Sequence, residues 1–271
     1  MTKALPIGLQ LYTLREALAQ DFAGTLRRVA EIGYTGVETA FFDESIATDA
    51  ANVKLGRMSL IEVRQQLCGL GLTVFCAHTS LPLGENRDAV LRHADALGCQ
   101  RIVWHGWSQD ARYSTLDGVR QLADEYNAAN EIARAHGLHL GLHNHWWEMT
   151  PLASGQLPYR LLLQQLDSRI FFELDTYWAT VAGQDAIAVI HELGPRAPLL
   201  HIKDGPAVHG QPMTAVGSGT LDISAIVTAS HGTADWLIVE LDDCATDMTE
   251  AVAQSFTYLK ELYAHESSAS I

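Results

Sequence analysis

Short apolar or β-branched runs alternate with longer amphipathic runs along nearly the whole chain of 271 residues. This alternation is typical of βα units around a parallel sheet. The predicted strands lie near residues 6–11, 36–39, 72–77, 101–105, 138–143, 169–175, 198–203 and 235–241. The predicted helices lie near residues 20–32, 59–70, 86–98, 115–136, 156–167, 184–193, 222–231 and 248–264. Eight such units close naturally, so the sequence predicts an α/β fold with a single (β/α)8 TIM barrel over residues 1–264.

Local signals support these boundaries. Ser59 with Glu62 has the spacing of a capping box, as has Asp247 with Glu250. A doubly wound sheet, the alternative, usually carries a glycine-rich phosphate turn after its first strand. The stretch GLQLYTLR that forms the predicted first strand and its continuation has no such turn, which favours the barrel.

Two segments fall outside the repeating pattern. Residues 41–58, FFDESIATDAANVKLGRM, are too long for an ordinary βα loop. In a barrel they would lie over the C-terminal face, where Phe41 and Phe42 could form part of a lid; a plain surface insertion fits equally well. The tail HESSASI, residues 265–271, is predicted to be disordered.

Composition and charge restrict the partners. The chain is 48% hydrophobic and has a formal net charge of −14, which repels nucleic acid and anionic membranes and favours a small neutral substrate. No stretch reaches the roughly 18 apolar residues needed to cross a bilayer, and the first residues lack a signal-peptide pattern. The four cysteines form no CxxC pair, as expected for reduced thiols in a cytoplasmic protein.

Four apolar runs in the second half of the chain each end in a side chain that can bind a metal. These side chains are Glu148, Asp175, His201 and Glu240. Burying an ionisable group at a strand end costs free energy, so four of them imply a shared partner for their charges. A single divalent cation would serve, and carboxylates with an imidazole suit Mn²⁺, Mg²⁺, Co²⁺ or Zn²⁺.

The alternation of side chains along a strand predicts which residues face the barrel axis. On the fifth strand the inward residues are His139, Gly141, His143 and His145. The inward residues of the later strands include Glu173 and Asp175 on the sixth, His201 and Lys203 on the seventh, and Glu240 on the eighth. Only the last inward residues reach the active-site mouth. Glu148 lies beyond its strand, so His145 competes with it for the fourth ligand place. Glu173 is predicted to be a deeper structural partner of a cation, and His139 and His105 are predicted to be core residues.

The segments GLQLYTLR, GYTGVE, GLHNHWWEM, FFELDTYW, LLHIKDG and WLIVELDD resemble the sugar phosphate isomerase/epimerase family, the xylose isomerase-like barrels. The resemblance runs from residue 6 to about residue 263. It implies one divalent ion, with Mn²⁺ first among the candidates, held by Asp175, His201, Glu240 and, as in the HNHxxE subgroup, Glu148. It also suggests a homo-oligomer, a dimer or a tetramer.

The chain departs from the family pattern at two places, and it differs from a related group of the superfamily at a third. Relatives of the ketose epimerases carry the first glutamate inside strand five, roughly where this chain has Gly141. The frequent GEG turn is replaced by residues 217–219, GSG, which could bind a phosphate through backbone N–H groups but fit a simple turn better. Apurinic endonucleases of the same superfamily have a histidine where this chain has Trp178, which argues against DNA repair.

The resemblance implies a metal-dependent isomerase or epimerase of a keto-sugar or polyol ketone that works through an enediolate. Glu148 and Glu240 would be the acid/base pair, and Lys203 could hydrogen-bond a substrate oxygen. The expected substrate contacts are His78, His143, Trp147 and Trp178, with Gln10 and Glu38 as weaker candidates.

The sequence is also compatible with two other functions. The first is a lyase or dehydratase of the 3-keto-glycoside or inosose type, in which His143 or His145 protonates the leaving group. The second is a non-catalytic sugar-binding barrel.

Overall fold

The computed structural model describes residues 4–40 and 58–269, with the backbone alone from residue 265 onward. Eight parallel strands form a closed barrel in chain order, in which each strand pairs with the next and the eighth pairs with the first. The strands are β1 (Ile7–Gln10), β2 (Gly36–Thr39), β3 (Thr73–His78), β4 (Arg101–Trp104), β5 (His139–His143), β6 (Phe171–Asp175), β7 (Leu199–Ile202) and β8 (Trp236–Val239). The predicted (β/α)8 fold is therefore confirmed.

Ten α-helices surround or follow the strands within the described residues. They are α1 (Arg15–Gln20), α2 (Phe22–Ile32), α3 (Leu60–Gly69), α4 (Arg87–Leu97), α5 (Leu116–Ala135), α6 (Pro158–Gln165), α7 (Thr176–Val181), α8 (Ala186–Leu193), α9 (Ile223–Ser230) and α10 (Met248–Ala269). The short helices α1 and α7 were not predicted. Helix α10 runs to Ala269, whereas a disordered tail was predicted from residue 265; no glycine or proline interrupts this stretch.

Polar side chains cap several helix starts, among them the predicted pair Ser59 and Glu62. Ser59 and Glu62 form a reciprocal capping box, with the Glu62 carboxylate accepting the Ser59 N–H at 2.7 Å. Asp21 and Asp222 accept backbone N–H groups at the starts of α2 and α9. These caps fix where each helix leaves the barrel, because they satisfy N–H groups that have no partner inside the helix.

The two faces of the strands pack into two different apolar layers, one between the barrel and its helices and one inside the barrel. The outward residues Leu138, Leu140 and Leu142 pack into the layer between the barrel and its helices, as the alternation on β5 predicts. The lower half of the barrel interior is filled mainly by Phe75, Val103, Phe171, Leu199 and Ile238, with Trp236 packed against them. The charged inward residues are thus confined to the upper half, near the C-terminal ends of the strands.

Large rings fill the space above glycines in this interior. Phe75 and Trp236 stack with their ring centroids 4.1 Å apart. A Cβ at Gly8 would lie 2.5 Å from the Phe75 ring, and a Cβ at Gly141 would lie 2.2 Å from the Phe171 ring. Phe171 therefore takes up the space of any side chain at position 141.

None of the helices in the described part of the chain is long and apolar enough to cross a membrane. The predicted lid residues Phe41 and Phe42 belong to residues 41–57 and lie outside the described residues.

Candidate active site

A cavity of about 550 Å³ opens at the C-terminal end of the barrel. Its volume falls within the range of about 300–1,000 Å³ that is usual for small-molecule sites. The four predicted substrate contacts, His78, His143, Trp147 and Trp178, all line it. Glu240 and His145 line it as well, so the cavity contains two of the predicted proton-transfer groups.

Four buried side chains, two of which line this cavity, bring their ligand atoms together. They are His143, Asp175, His201 and Glu240, and one ligand atom of each lies within 4.8 Å of the others. Atoms bound to one ion at about 2.1 Å lie at most about 4.2 Å apart, so small side-chain rotations would bring all four to a common ion. Two imidazoles and two carboxylates are a donor set that divalent transition metals accept.

Local structure holds Asp175 at this position. Its Oδ1 accepts the Trp178 N–H at 2.8 Å and begins helix α7 directly after β6. The side chain of Asn144 accepts the Asp175 N–H at 2.9 Å and donates to the Asp175 carbonyl at 3.2 Å. Oδ2 is left to face the four-residue group, where it lies 3.0 Å from the Lys203 ammonium.

His201 is surrounded by carboxylates. Its Nδ1 donates to Glu240 at 2.7 Å, and its Nε2 donates to Glu38 at 2.8 Å. Burial disfavours the charged ring, but the charges of Glu173, Glu240 and Glu38 outweigh burial and raise the pKa of His201 well above its usual value. Because a metal binds the unprotonated nitrogen, an ion at this site must displace a proton from His201.

Lys203 lies beneath the cavity rather than in it. Its side chain is completely buried, and its ammonium lies 3.0 Å from Asp175, 2.8 Å from Glu240 and 2.7 Å from Asp242. These carboxylates outweigh burial and raise the pKa of Lys203 well above its usual value. The predicted hydrogen bond from Lys203 to substrate does not agree with this position, because three carboxylates surround the ammonium and it does not line the cavity.

Glu38 and Glu173 form a deeper layer of carboxylates. Glu173 accepts from His78 at 2.7 Å and lies 3.2 Å from both His143 and His201, in agreement with the structural role predicted for it. Burial and the Glu173 charge raise the pKa of Glu38 to about 7. Burial also raises the pKa of Asp175 to about 6, in opposition to the charge of Lys203. The carboxylates and the cations therefore stabilise each other's positions.

The structure does not bring Glu148 to the other predicted metal ligands. In the turn after β5, its Oε2 accepts the His145 N–H at 2.9 Å, and the residue lines a separate small cavity between barrel and helices with Leu142 and Tyr159. Burial raises the pKa of Glu148 to about 8. In the four-residue group the inward imidazole of His143, not Glu148 or His145, takes the fourth place.

Several imidazoles in and around the cavity are held neutral. Burial and nearby cations lower the pKa of His143 and His145 well below the usual value. Burial lowers the pKa of His105 to about 3, and that ring lines the cavity although the sequence predicted a core residue. Neutral imidazoles can bind a metal or accept a proton.

Among the residues of this site that sequence reasoning missed are two with a clear structural role. Asn144 clamps Asp175, and Asp242 contacts Lys203 from two residues beyond Glu240. The Asn144 side chain follows the last residue of β5, and nothing in its spacing shows that it reaches β6. Asp242 carried a signal, because it continues the acidic run of WLIVELDD at the end of β8.

Fold and site together define an α/β barrel with an acidic, imidazole-rich centre at its C-terminal mouth. The chain belongs to the family of xylose isomerase-like TIM barrels, whose family model matches residues 26–262. No protein of curated function matches the chain significantly.

Solved structures with this fold are numerous. A sugar phosphate isomerase/epimerase from Parabacteroides distasonis ATCC 8503 is 25% identical, with a TM-score of 0.75 over 95% of this chain and 94% of that one. The probable 3-DHS dehydratase AsbF from Bacillus anthracis is 13% identical, with a TM-score of 0.74 over 94% and 99% of the two chains. The IOLI protein with a bound zinc atom is 14% identical, with a TM-score of 0.71 over 95% and 98%. The last two establish similarity of fold alone.

Proposed function

We propose that this protein is a metal-dependent isomerase or epimerase of a keto-sugar or related polyol ketone. The observation that carries the proposal is the convergence of His143, Asp175, His201 and Glu240 at the base of the cavity, which His143 and Glu240 line. Family membership and the likeness to a sugar phosphate isomerase/epimerase support an enzyme of this class. The IOLI protein holds zinc in the same fold, which supports a divalent ion without selecting one; Mn²⁺ remains the expected metal.

The residues fit such an ion by donor type and spacing. His143, Asp175, His201 and Glu240 would hold it, with Asn144 keeping Asp175 in place. When bound, the ion supplies a Lewis acid that polarises a substrate carbonyl and makes the neighbouring C–H more acidic. Glu148 is left as a positioning residue, because its carboxyl group fixes the backbone of His145.

Glu240 and His145 are suited to move the proton. Burial disfavours the carboxylate of Glu240, but Lys203 and His201 hold its pKa well below the usual range, so it is ionised. His201 and Lys203 both contact Oε2 of Glu240, and Glu240 also lines the cavity. His145 lines the same cavity as a neutral imidazole. In this state both groups are bases: one removes a proton from the substrate, and the other, after it has taken up a proton from water, delivers that proton to the opposite face, which yields an epimer.

The test is the variant Glu240→Gln, followed by NMR in D₂O with a panel of unphosphorylated ketoses and Mn²⁺. We expect the wild-type protein to exchange a carbon-bound proton for deuterium, and the variant to be slower by at least about 100-fold, the usual contribution of an acid/base group. Circular dichroism should show that both proteins are folded. Unchanged exchange in Glu240→Gln would refute the role of Glu240.

A second candidate is a lyase or dehydratase that uses the same site. The observation that favours it is the surplus of imidazoles, since His78, His105 and His145 line the cavity in addition to the ligand His143. A neutral imidazole can relay a proton to a leaving hydroxyl or glycosidic oxygen. The probable dehydratase AsbF shows that the fold accommodates such proteins. The D₂O experiment separates the two functions, because elimination releases a group whereas isomerisation retains every hydroxyl.

A further inference from the structure

We infer that the natural substrate is an unphosphorylated glycoside, in which a keto-sugar ring lies on the floor of the cavity and a second ring lies against its tryptophan wall. This inference rests on the proposed action on sugars and specifies the substrate class. It depends on three features of the cavity: its charge, its loops and its aromatic surface.

The charged side chains of the cavity would repel a phosphate. Among the residues that the structure describes, no arginine or lysine lines it, whereas the carboxylate residues Glu240 and Asp242 do. Lys203 is shielded beneath Glu240 and Asp242, with no exposed surface. The guanidinium of Arg15 donates to the carbonyls of Tyr12 and Asp242 at 3.1 and 2.9 Å and lies over the Tyr12 ring. A phosphate group held in the cavity away from the metal would therefore lie near carboxylates, with no cationic side chain of the described lining to pair with it.

The loop that could have cradled a phosphate is already occupied by a carboxylate. Asp204 accepts the N–H groups of Gly217 and Gly219 at 3.0 and 2.9 Å, and those of Gly205 and Leu221 at 2.8 and 3.2 Å. Four N–H donors around one carboxylate stabilise its charge and leave none of these donors for a ligand. The interpretation of residues 217–219 as a structural turn is thus supported.

The aromatic side chains form a continuous wall on one side of the cavity. Trp146 lies edge-on to Trp147 with the centroids 4.7 Å apart, and 4.9 Å from Trp178. Trp147 stacks on His145 at 4.2 Å, so the wall begins beside the proposed proton-transfer group. Outside the cavity, His209 packs against Trp146 at 4.1 Å and supports the wall. Such a surface binds the apolar face of a sugar or aryl ring.

Trp178 completes this wall. Its ring lies 4.9 Å from that of Trp146, and the residue is 8% exposed where it lines the cavity. His143 and Glu240 line the same cavity beside the rings. A wall of rings next to polar side chains suits a neutral, hydroxylated ring better than an alkyl chain.

The test measures binding by the quenching of tryptophan fluorescence, since four of the six tryptophans line the cavity. The probes are glucose, glucose 6-phosphate and phenyl β-D-glucopyranoside, each with and without Mn²⁺. We expect the phenyl glucoside to bind at least about 10-fold more tightly than glucose, and the phosphate at least about 10-fold more weakly. Equal or tighter binding of the phosphate, no preference for the glycoside, or no binding of any probe would overturn the inference.

Two pairs of variants sharpen this test. Trp146→Ala should remove the preference for the phenyl glucoside, while Trp146→Phe should keep most of it. Gln109→Arg places a cation at the exposed rim and should improve binding of glucose 6-phosphate; Gln109→Met should not. If Trp146→Ala keeps the preference, the wall is not the binding surface. Binding is measured without turnover, so failure of the proposed reaction would leave these preferences unchanged and be recognised separately.

Discussion

At the scale of single residues, this protein places most of its ionisable site groups where burial alone would neutralise them. Lys203 and His201 keep their charge because carboxylates surround them, and Glu240 keeps its charge because of those cations. Glu148 has no cation partner, so burial decides its protonation. Whether each of these groups is charged therefore depends on the charges next to it and not on how deeply it is buried.

Glu148→Gln should change how stability depends on pH. The carboxyl group has a pKa of about 8 in the folded protein, against 4.5 for a glutamate in an open chain. A group whose pKa is raised in the folded protein stabilises the folded state fully below about pH 4.5. This stabilisation is lost as the pH rises through 8. Glutamine does not titrate, so the variant should lose less stability than the wild-type protein between pH 5 and 8. Urea denaturation at several pH values measures this difference.

The control for this experiment is Glu85→Gln, a substitution of an exposed residue in the turn before α4. It should give the pH profile of the wild-type protein. A Glu148→Gln profile parallel to wild type would show that Glu148 is already ionised at neutral pH.

Lys203→Met should destabilise the protein strongly. The substitution leaves Asp175, Glu240 and Asp242 without their shared cation. Removing one partner of a buried ion pair typically costs about 3–5 kcal/mol. Arg120→Met breaks an exposed pair with Asp117 and should cost at most about 1 kcal/mol. Urea denaturation of both variants gives the comparison, and equal losses would refute the central role of Lys203.

At the scale of elements, the site depends on contacts between the ends of neighbouring strands. Asn144 joins the end of β5 to Asp175 at the end of β6, and Asp175 in turn begins α7. Helix α7 carries Trp178 to the cavity wall. One short run of residues therefore orients a metal-binding oxygen and a substrate-facing ring together.

Gly141→Ala should be destabilising because a Cβ at this position would lie 2.2 Å from the Phe171 ring. Overpacking of this kind costs about 1–3 kcal/mol. Gly69→Ala, at the end of α3 with no atom within 4 Å of the new Cβ, should be neutral or slightly stabilising. Thermal or urea denaturation compares the two variants. Adding Phe171→Leu should restore part of the loss in Gly141→Ala; if it does not, the Phe171 ring is not the cause.

At the scale of the whole molecule, the barrel brings residues from neighbouring strands and their ends to one mouth. The four proposed ligands come from β5, β6, β7 and the residue after β8. Neighbouring strands are held in register by backbone hydrogen bonds, so the ligands cannot move independently. Metal binding should therefore stabilise the folded barrel as a whole.

Mn²⁺ or Zn²⁺ added after chelator treatment should raise the melting temperature. A ligand at 100 times its Kd stabilises the folded state by about 2.7 kcal/mol. Asp175→Asn weakens the donor set and should lose most of this response, whereas Asp117→Asn, at an exposed position on α5, should keep it. A response that is the same in both variants would place the ion elsewhere, and no response in the wild-type protein would count against the metal site.

The pattern of residues along the chain was enough to predict the barrel and the positions of its strands. Period-two and helical patterns record which face of each element is buried, and that is a local property. Strand alternation also placed Asp175, His201 and Glu240 at one end of the barrel, where the structure brings them together.

Only the folded structure decides which carboxylates and cations of the site pair with each other. The place of Glu148 depended on the turn after β5, and that of Lys203 on three carboxylates from β6 and the end of β8. The contacts of Asn144 with Asp175 likewise join residues 31 positions apart in the chain. Hydrogen bonds and ion pairs act over a few ångströms between strands, and sequence periodicity carries no information about such distances.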